Sequence, residues 1–100
     1  MARRVLPVRV QHGAIEIGHH IMTWRKLQNL TAEQVAERAN VSRTTLRRLE
    51  QGDAGVGLDV FLSVVRALGQ LERVVEVLDP YETDLGRARA EDTLPERVRR

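Results

Sequence analysis

The sequence contains no cysteine, which excludes a disulfide scaffold and every metal site built on thiolate ligands. It also has no apolar run near the roughly 20 residues that a membrane-spanning helix needs. The two arginines at the start are not followed by a long apolar segment, so we expect no signal peptide. These absences favour a cytoplasmic protein that does not act at a membrane.

Aromatic residues are scarce as well, and the only ones are Trp24, Phe61 and Tyr81. Because 42% of the 100 residues are nevertheless apolar, the core must be aliphatic and closely fitted. A chain of this length forms one domain with short tails. We expect an N-terminal arm over residues 1–14, the domain over 15–79 and a C-terminal tail over 80–100.

The small net charge of +2 is unevenly distributed. Residues 25–49 carry six basic and two acidic side chains, whereas residues 50–84 carry two basic and eight acidic ones. A basic segment followed by an acidic one indicates one face for a polyanion and another for a different partner. Two solvated faces without partners explain the same pattern, so the charges alone leave both interpretations open.

The N-terminal third changes from a strand-like to a helical pattern. Residues 3–10 are β-prone, and Pro7 restricts them to an extended arm or an edge strand. Helical spacing begins near Ile15, and Asn29 offers a helix end that tolerates positive φ. The apolar positions of this first helix are Ile17, Ile21 and either Met22 or Trp24.

Two short helices joined by a tight turn follow. Thr31 stands three residues before Gln34, the spacing of a capping box, and predicts the start of the first of them. Asn40 is suited to the turn because it tolerates positive φ. Ser42 caps the second helix, which Gly52 ends. Because the turn is too short for antiparallel packing, the two helices must cross steeply.

A helical wheel of the second helix separates an apolar face from a basic one. Leu46 and Leu49, with Ser42, face the core. The opposite face suits the major groove, because arginine bonds guanine O6 and N7 as a fork and a threonine methyl meets the thymine methyl. Its members are Thr44, Arg47, Arg48 and Gln51, flanked by Arg43. The helix N-termini present free N–H groups to phosphates, and we expect backbone contacts from Thr31, Ser42, Thr45 and Gln51.

The last helices suggest an interface and no enzyme. An apolar helix over residues 58–68 ends at Gly69, and a short one from Leu71 stops before Pro80. The short helix is too apolar for one small core, so its surplus is either a dimer contact or buried within the monomer. The dimer contact would comprise Leu71, Val74, Val75 and Leu78.

Adjacent histidines point about 100° apart and cannot chelate together, and no catalytic motif is present. We therefore expect no metal, no cofactor and no enzymatic activity.

These residues also carry a family resemblance. The run Ile17-Gly18 … Arg25 … Leu30-Thr31 … Val35-Ala36-Glu37-Arg38-Ala39-Asn40-Val41-Ser42 … Thr45-Leu46 … Leu49-Glu50-Gln51-Gly52 resembles the helix-turn-helix of Xre/Cro-family repressors. The resemblance implies an all-α, λ-repressor-like bundle of five helices and a buried ion pair between Arg25 and Glu50. It also implies base contacts from Arg43, Thr44, Arg47 and Arg48. Two positions depart from the family pattern: Ala32 replaces a common glutamine, and Asn40 replaces the usual glycine of the turn.

The end of the chain resembles a subgroup of that family. Leu78-Asp79-Pro80-Tyr81 … Asp84-Leu85-Gly86 and Leu94-Pro95-Glu96-Arg97-Val98-Arg99-Arg100 are similar to the tails of HipB-like antitoxins. The leading hypothesis is a nucleoid-associated dimeric repressor that binds double-stranded DNA at a palindromic operator and autoregulates its operon. The alternative is an antitoxin that holds a HipA-type kinase toxin, with DNA binding as a secondary role.

Overall fold

A computed structural model describes residues 5–90. These residues form α-helices and one short 3₁₀ helix, with no strand among them, so the predicted all-α fold is confirmed. The elements are α1 (Val8–Leu27), α2 (Ala32–Ala39), α3 (Arg43–Glu50), α4 (Leu58–Ala67), α5 (Leu71–Val77), the 3₁₀ helix (Pro80–Glu82) and α6 (Asp84–Ala88). They divide into two compact units, the first ending at Gln70 and the second beginning at Leu71. The predicted domain of residues 15–79 spans parts of both units.

The first unit consists of α1–α4 around an aliphatic core. In it α2 packs against α3 and α4, and α3 packs against α1. Leu46, Val35 and Val64 are completely buried, and no aromatic side chain belongs to the buried set. The other buried apolar residues are Ile21, Ala36, Ala39, Leu49, Val65 and Leu68. The inner face predicted for α3 is therefore confirmed, apart from Ser42, which is exposed at the start of that helix.

All four helices of the first unit end in the same way. One residue adopts positive φ after each helix, and its own N–H and that of the following residue donate to carbonyls of the last turn, which is the Schellman motif. Asn29 and Asn40 take this position with φ of +58°, and Gly52 and Gly69 take it with φ of +85° and +76°. Asn29, Gly52 and Gly69 were predicted to end helices and Asn40 to take positive φ in the turn, and all four predictions are confirmed.

The predicted extended arm is wrong from Val8 onward, because α1 begins there and not near Ile15. Pro7 precedes the helix, and its carbonyl accepts the N–H groups of Val10 and Gln11 at 3.0 and 3.1 Å. A proline is tolerated at this place because a first-turn N–H has no intrahelical partner to lose. The sequence pattern misled because valines favour strands only where a neighbouring strand is available.

The second unit corrects the prediction of an extended tail over residues 80–90. The 3₁₀ helix starts where the Asp79 carboxylate accepts the N–H of Tyr81 at 2.9 Å. The short α6 starts where the Thr83 hydroxyl accepts the N–H of Gly86 at 3.0 Å. Side-chain caps of this kind supply partners for helix-end donors. Residues 91–100 lie outside the described part of the chain.

The helices α1 and α3 approach each other closely at Gly18. A Cβ atom at this position would lie 2.5 Å from the carbonyl oxygen of Leu49 and 2.6 Å from that of Glu50. Backbone carbonyls cannot move aside as a flexible side chain can. Gly18 therefore sets the distance between α1 and the C-terminal end of α3.

We expect the substitution Gly18→Ala to destabilise the fold by about 1–3 kcal/mol, the usual cost of overpacking a core. Gly13→Ala is the matched control, because it lies in the same helix and a Cβ there meets nothing within 4 Å. The control should stabilise the fold by about 0.5–1 kcal/mol through the lower entropy of unfolded alanine. Urea unfolding of both variants measures the difference, and equal effects would contradict the close approach.

Candidate nucleic-acid interface

The start of α2 is fixed by a complete capping box. The N–H of Gln34 donates to the Thr31 hydroxyl at 3.1 Å, and the N–H of Thr31 donates to Gln34 Oε1 at 2.9 Å. The predicted capping box is thus confirmed. The remaining first-turn N–H groups have no acceptor inside the helix. They make this end of α2 an anion-binding position at the surface.

The turn between α2 and α3 and the start of α3 are also fixed by local backbone conformation and by a side-chain cap. Asn40 takes the left-handed conformation, with φ of +58° and ψ of +46°, so asparagine replaces the usual glycine of this turn without a change of geometry. The Ser42 hydroxyl accepts the N–H of Thr45 at 3.0 Å and donates its own hydrogen to Thr45 Oγ1 at 2.9 Å. Thr45 is half-buried, and its hydroxyl hydrogen is left for an external acceptor.

One side of α3 is buried and the other is exposed and basic. Leu46 and Leu49 lie in the core, so the opposite face turns away from it. The residues of the exposed face are Arg43, Thr44, Arg47, Arg48 and Gln51. The structure therefore brings together the side chains predicted to contact bases on a single face of one helix.

A shallow cleft of about 250 Å³ opens between this face and the start of α2. It is lined by Ala32, Arg43, Thr44, Arg47 and Glu50. Ala32 occupies the position at which the resembling family commonly has glutamine, and its methyl group leaves the cleft open. Neither Arg43 nor Arg47 has an ion-pair partner among residues 5–90. Two unpaired guanidinium groups beside two helix N-termini form a site for an anion or for the acceptor edge of a base.

Arg48 differs from these two arginines because it is paired within the chain. Its Nε donates to Asp53 Oδ2 at 2.8 Å, and both side chains are partly exposed. Asp53 lies in the loop after α3, where its Oδ1 also accepts the N–H of Gly55 at 2.8 Å. The three arginines predicted to contact bases therefore differ. Arg43 and Arg47 have no ion-pair partner among the described residues, whereas Arg48 is paired with Asp53.

Arg25 and Glu50 form a two-contact ion pair between α1 and the last residue of α3. The Arg25 Nε lies 2.8 Å from Glu50 Oε2, and its Nη2 lies 3.2 Å from Oε1. The Arg25 Nη1 also donates to the carbonyl of Leu30 at 3.2 Å. Their side chains are only 13% and 8% exposed. The pair ties the loop before α2 and the end of α3 to α1.

Two contributors to this site, Gly18 and Asp53, were missed by reasoning from the sequence. A glycine inside a helix costs about 1 kcal/mol relative to alanine, so its presence at position 18 was a signal of close packing. Asp53 gave a weaker signal, since aspartate after glycine is common in any loop. Only the geometry of the helix end brings its carboxylate back to Arg48.

The other clusters considered in the sequence contribute no site. His12, His19 and His20 are exposed. Over residues 5–90, no group of three or more histidine, aspartate or glutamate side chains could hold a metal ion. None of the helices in the same range is both long and apolar enough to cross a membrane. The second half of the HipB-like resemblance, residues 94–100, falls outside the described residues, so this subtype stays a prediction.

We expect Arg25→Ala to destabilise the fold by more than the roughly 1 kcal/mol of an exposed pair and by at most the roughly 3–5 kcal/mol of a fully buried one, because it leaves the part-buried Glu50 carboxylate without its partner. Arg48→Ala is the control, since it breaks a partly exposed ion pair of the same chemistry and should cost less than about 1 kcal/mol. Denaturant midpoints with unchanged slopes would measure both costs. A loss in Arg25→Ala no greater than in Arg48→Ala would contradict the structural role of the buried pair.

Comparison with known proteins agrees with this geometry. The family model HTH_3, described as helix-turn-helix, matches residues 21–74, which is more than half of the chain and includes the whole of α2 and α3. No curated protein and no solved structure gave a significant match. The matching family is a DNA-binding family and not an enzyme family. The chain belongs to the Xre/λ-repressor-like helix-turn-helix family and is a DNA-binding transcription regulator.

Proposed function

We propose that the protein is a transcriptional repressor that binds a palindromic operator as a homodimer and autoregulates its own operon. The observation that carries this proposal is the exposed face of α3, where Arg43 and Arg47 line the open cleft at Ala32 and have no ion-pair partner among residues 5–90. A helix of this kind enters the major groove with its N-terminal residues against the base edges. A repressor then acts by occupying the operator.

Base recognition is assigned to side chains of the exposed face. Arg43 and Arg47 supply forked donors for guanine O6 and N7, and the Thr44 methyl group is placed to meet a thymine methyl. Arg48 is the remaining proposed base contact, held at the far edge of the face by Asp53. Because Arg43 and Arg47 have no ion-pair partner among residues 5–90, their side chains can adopt more than one orientation until DNA is bound.

Backbone contacts are assigned to the two helix starts and to the end of α3. The first-turn N–H groups after Thr31 and Ser42 point toward phosphates. The Thr45 hydroxyl donates to a phosphate oxygen, because the Ser42 hydroxyl occupies its acceptor side. Gln51 is exposed at the opposite end of α3 and extends the set of phosphate contacts. These contacts fix the register of α3 in the groove without reading sequence.

Dimerisation is assigned to α5, because the second unit cannot bury its own apolar side chains. None of the described residues of this unit is buried, and Val75 and Leu78 are 62% and 80% exposed. Very small folding units usually need association with another chain to be stable. Leu71, Val74 and Val75 lie on one face of α5, and Leu78, the first residue after the helix, continues the same spacing. A second copy that covers this face would bring two α3 helices into one assembly, as a two-fold symmetric operator requires.

The antitoxin hypothesis is the second candidate. Apolar side chains outside the proposed dimer face favour it, since Val77 and Leu85 are 76% and 65% exposed. Acidic residues are their neighbours in the sequence, in keeping with the eight acidic side chains of residues 50–84. A protein partner with a basic rim around an apolar centre would fit such a surface. A HipA-type kinase toxin is the partner that the tail resemblance suggests.

We expect Arg47→Ala to weaken operator binding by about 1–3 kcal/mol and to relax the preference at one base pair. Fluorescence anisotropy measures this on DNA from upstream of the gene and on random DNA, at several salt concentrations. Operator affinity should fall steeply with salt through counterion release. Arg66→Ala, which removes an exposed arginine from α4, is the control for charge. An Arg43→Ala/Arg47→Ala variant that binds the operator like the unaltered protein would exclude α3 as the reading helix.

We expect Val74→Asp or Leu78→Asp to shift the protein from dimer to monomer, because each places a charge within the apolar face of α5. Val77→Asp is the matched control, since this exposed valine lies about 110° around the same helix. Sedimentation equilibrium over a range of protein concentrations measures the change. A dimer that survives both face substitutions would reject this interface.

A further inference from the structure

We propose that Asp53 is a positioning residue that sets the base preference of α3 by holding Arg48 in one orientation toward the DNA. The inference rests on the proposed function, in that α3 must lie in the major groove. It adds a residue from outside the helix to the recognition site. Asp53 itself needs no contact with DNA for this role.

The backbone brings Asp53 to Arg48 before the side chains interact. Gly52 has a φ of +85°, and a Cβ there would lie 2.6 Å from the Cα of Ile15, so both its conformation and its packing require glycine. This left-handed residue reverses the chain, and the N–H of Asp53 donates to the carbonyl of Arg48 at 3.0 Å. The distance between the two residues is therefore fixed by the end of the helix.

The carboxylate of Asp53 is held at both oxygens. Oδ1 accepts the N–H of Gly55 and Oδ2 accepts Arg48 Nε, each at 2.8 Å. A carboxylate anchored to the backbone in this way is a rigid acceptor. The Arg48 guanidinium thereby loses part of the rotational freedom that the unpaired Arg43 and Arg47 retain.

The pairing leaves the useful edge of the guanidinium available. Nε is the donor used by Asp53, so the two terminal nitrogens, Nη1 and Nη2, still form a planar fork. A fork of this kind matches O6 and N7 of guanine. Because the side chain of Arg48 is 48% exposed, the fork is accessible to a ligand. A pre-oriented arginine pays less entropy on binding and is less able to adapt to a wrong base.

The exposure of the pair argues against a role in stability alone. The Asp53 side chain is 36% exposed, and ion pairs in such positions contribute little to a fold. A carboxylate near the α3 face also repels phosphates unless a cation accompanies it. Asp53 therefore lowers the affinity for DNA of any sequence. Better discrimination between base pairs by Arg48 would offset this loss.

The test compares base discrimination by Asp53→Asn with that by Arg48→Ala. Asparagine keeps an oxygen for the Gly55 N–H but loses the charge that holds the guanidinium. The probe is the best duplex that the full chain selects from a random library, together with all its single base-pair changes. Asp59→Asn is the matched control, because it removes the same charge from an exposed position in the first turn of α4.

We expect Asp53→Asn to reduce discrimination roughly two- to tenfold at the base pair that Arg48→Ala identifies, the cost of one unfixed side chain. Affinity for random DNA should stay equal or rise, and Asp59→Asn should keep full discrimination. Arg48→Lys, which leaves the loop intact and lacks the fork, should lose discrimination at the same base pair. In the Arg48→Ala background, Asp53→Asn should cause no further loss.

The proposal would be overturned if Asp53→Asn kept full discrimination, whether or not its operator affinity rose. Asp53 would then only compete with DNA for the Arg48 guanidinium. The proposal would also be overturned if Arg48→Ala discriminated at every base pair as well as the unaltered protein does. Failure of the proposed function gives a different result, since Arg47→Ala and Arg43→Ala would then also bind all duplexes like the unaltered protein. Thermal unfolding of each variant verifies that the compared proteins are folded.

Discussion

The contact between α1 and the end of α3 is the constraint on which the rest of the first unit depends. Gly18 brings the backbones together at the carbonyls of Leu49 and Glu50, and the Arg25–Glu50 pair holds them in register. Gly52 repeats the arrangement one turn later, against Ile15. The position of α3 is thus set by close backbone contacts and by a part-buried charge pair with two hydrogen bonds. A reading helix needs such rigidity, because small shifts remove hydrogen bonds to base edges.

Three environments give the arginines of this unit three different roles. Arg25 is part-buried against Glu50 and links α1 to the end of α3, and removing either partner leaves the other charge unpaired. Arg43 and Arg47 are unpaired among the described residues and carry the charge of the recognition face. Arg48 is paired but accessible. The residue type is the same in each case, so burial and the neighbouring carboxylate determine what each one does.

The two units differ in how completely they bury their apolar side chains. The first closes its own aliphatic core and ends all four helices with satisfied carbonyls. The second has caps at its short helices but no buried side chain among its described residues. Its apolar residues therefore remain available for another chain, in keeping with the proposed homodimer. DNA recognition and association are consequently assigned to separate parts of the sequence.

Much of this arrangement was predictable, because local chemistry determines helix ends and faces. The sequence by itself determined the capping box at Thr31, the left-handed residues Asn29, Asn40, Gly52 and Gly69, and the exposed basic face of α3. The start of α1 at Val8 and the helical turns after Asp79 were not predicted, although the proline before α1 and the side-chain caps of Asp79 and Thr83 are local signals, because the β-prone valines and the polar tail composition outweighed them. The tertiary structure alone decided that Gly18 spaces two helices and that Asp53 holds Arg48. Gly18 acts at a helix crossing and Asp53 acts at a helix end. Which atoms come together at such places depends on the three-dimensional geometry, and sequence spacing does not encode it.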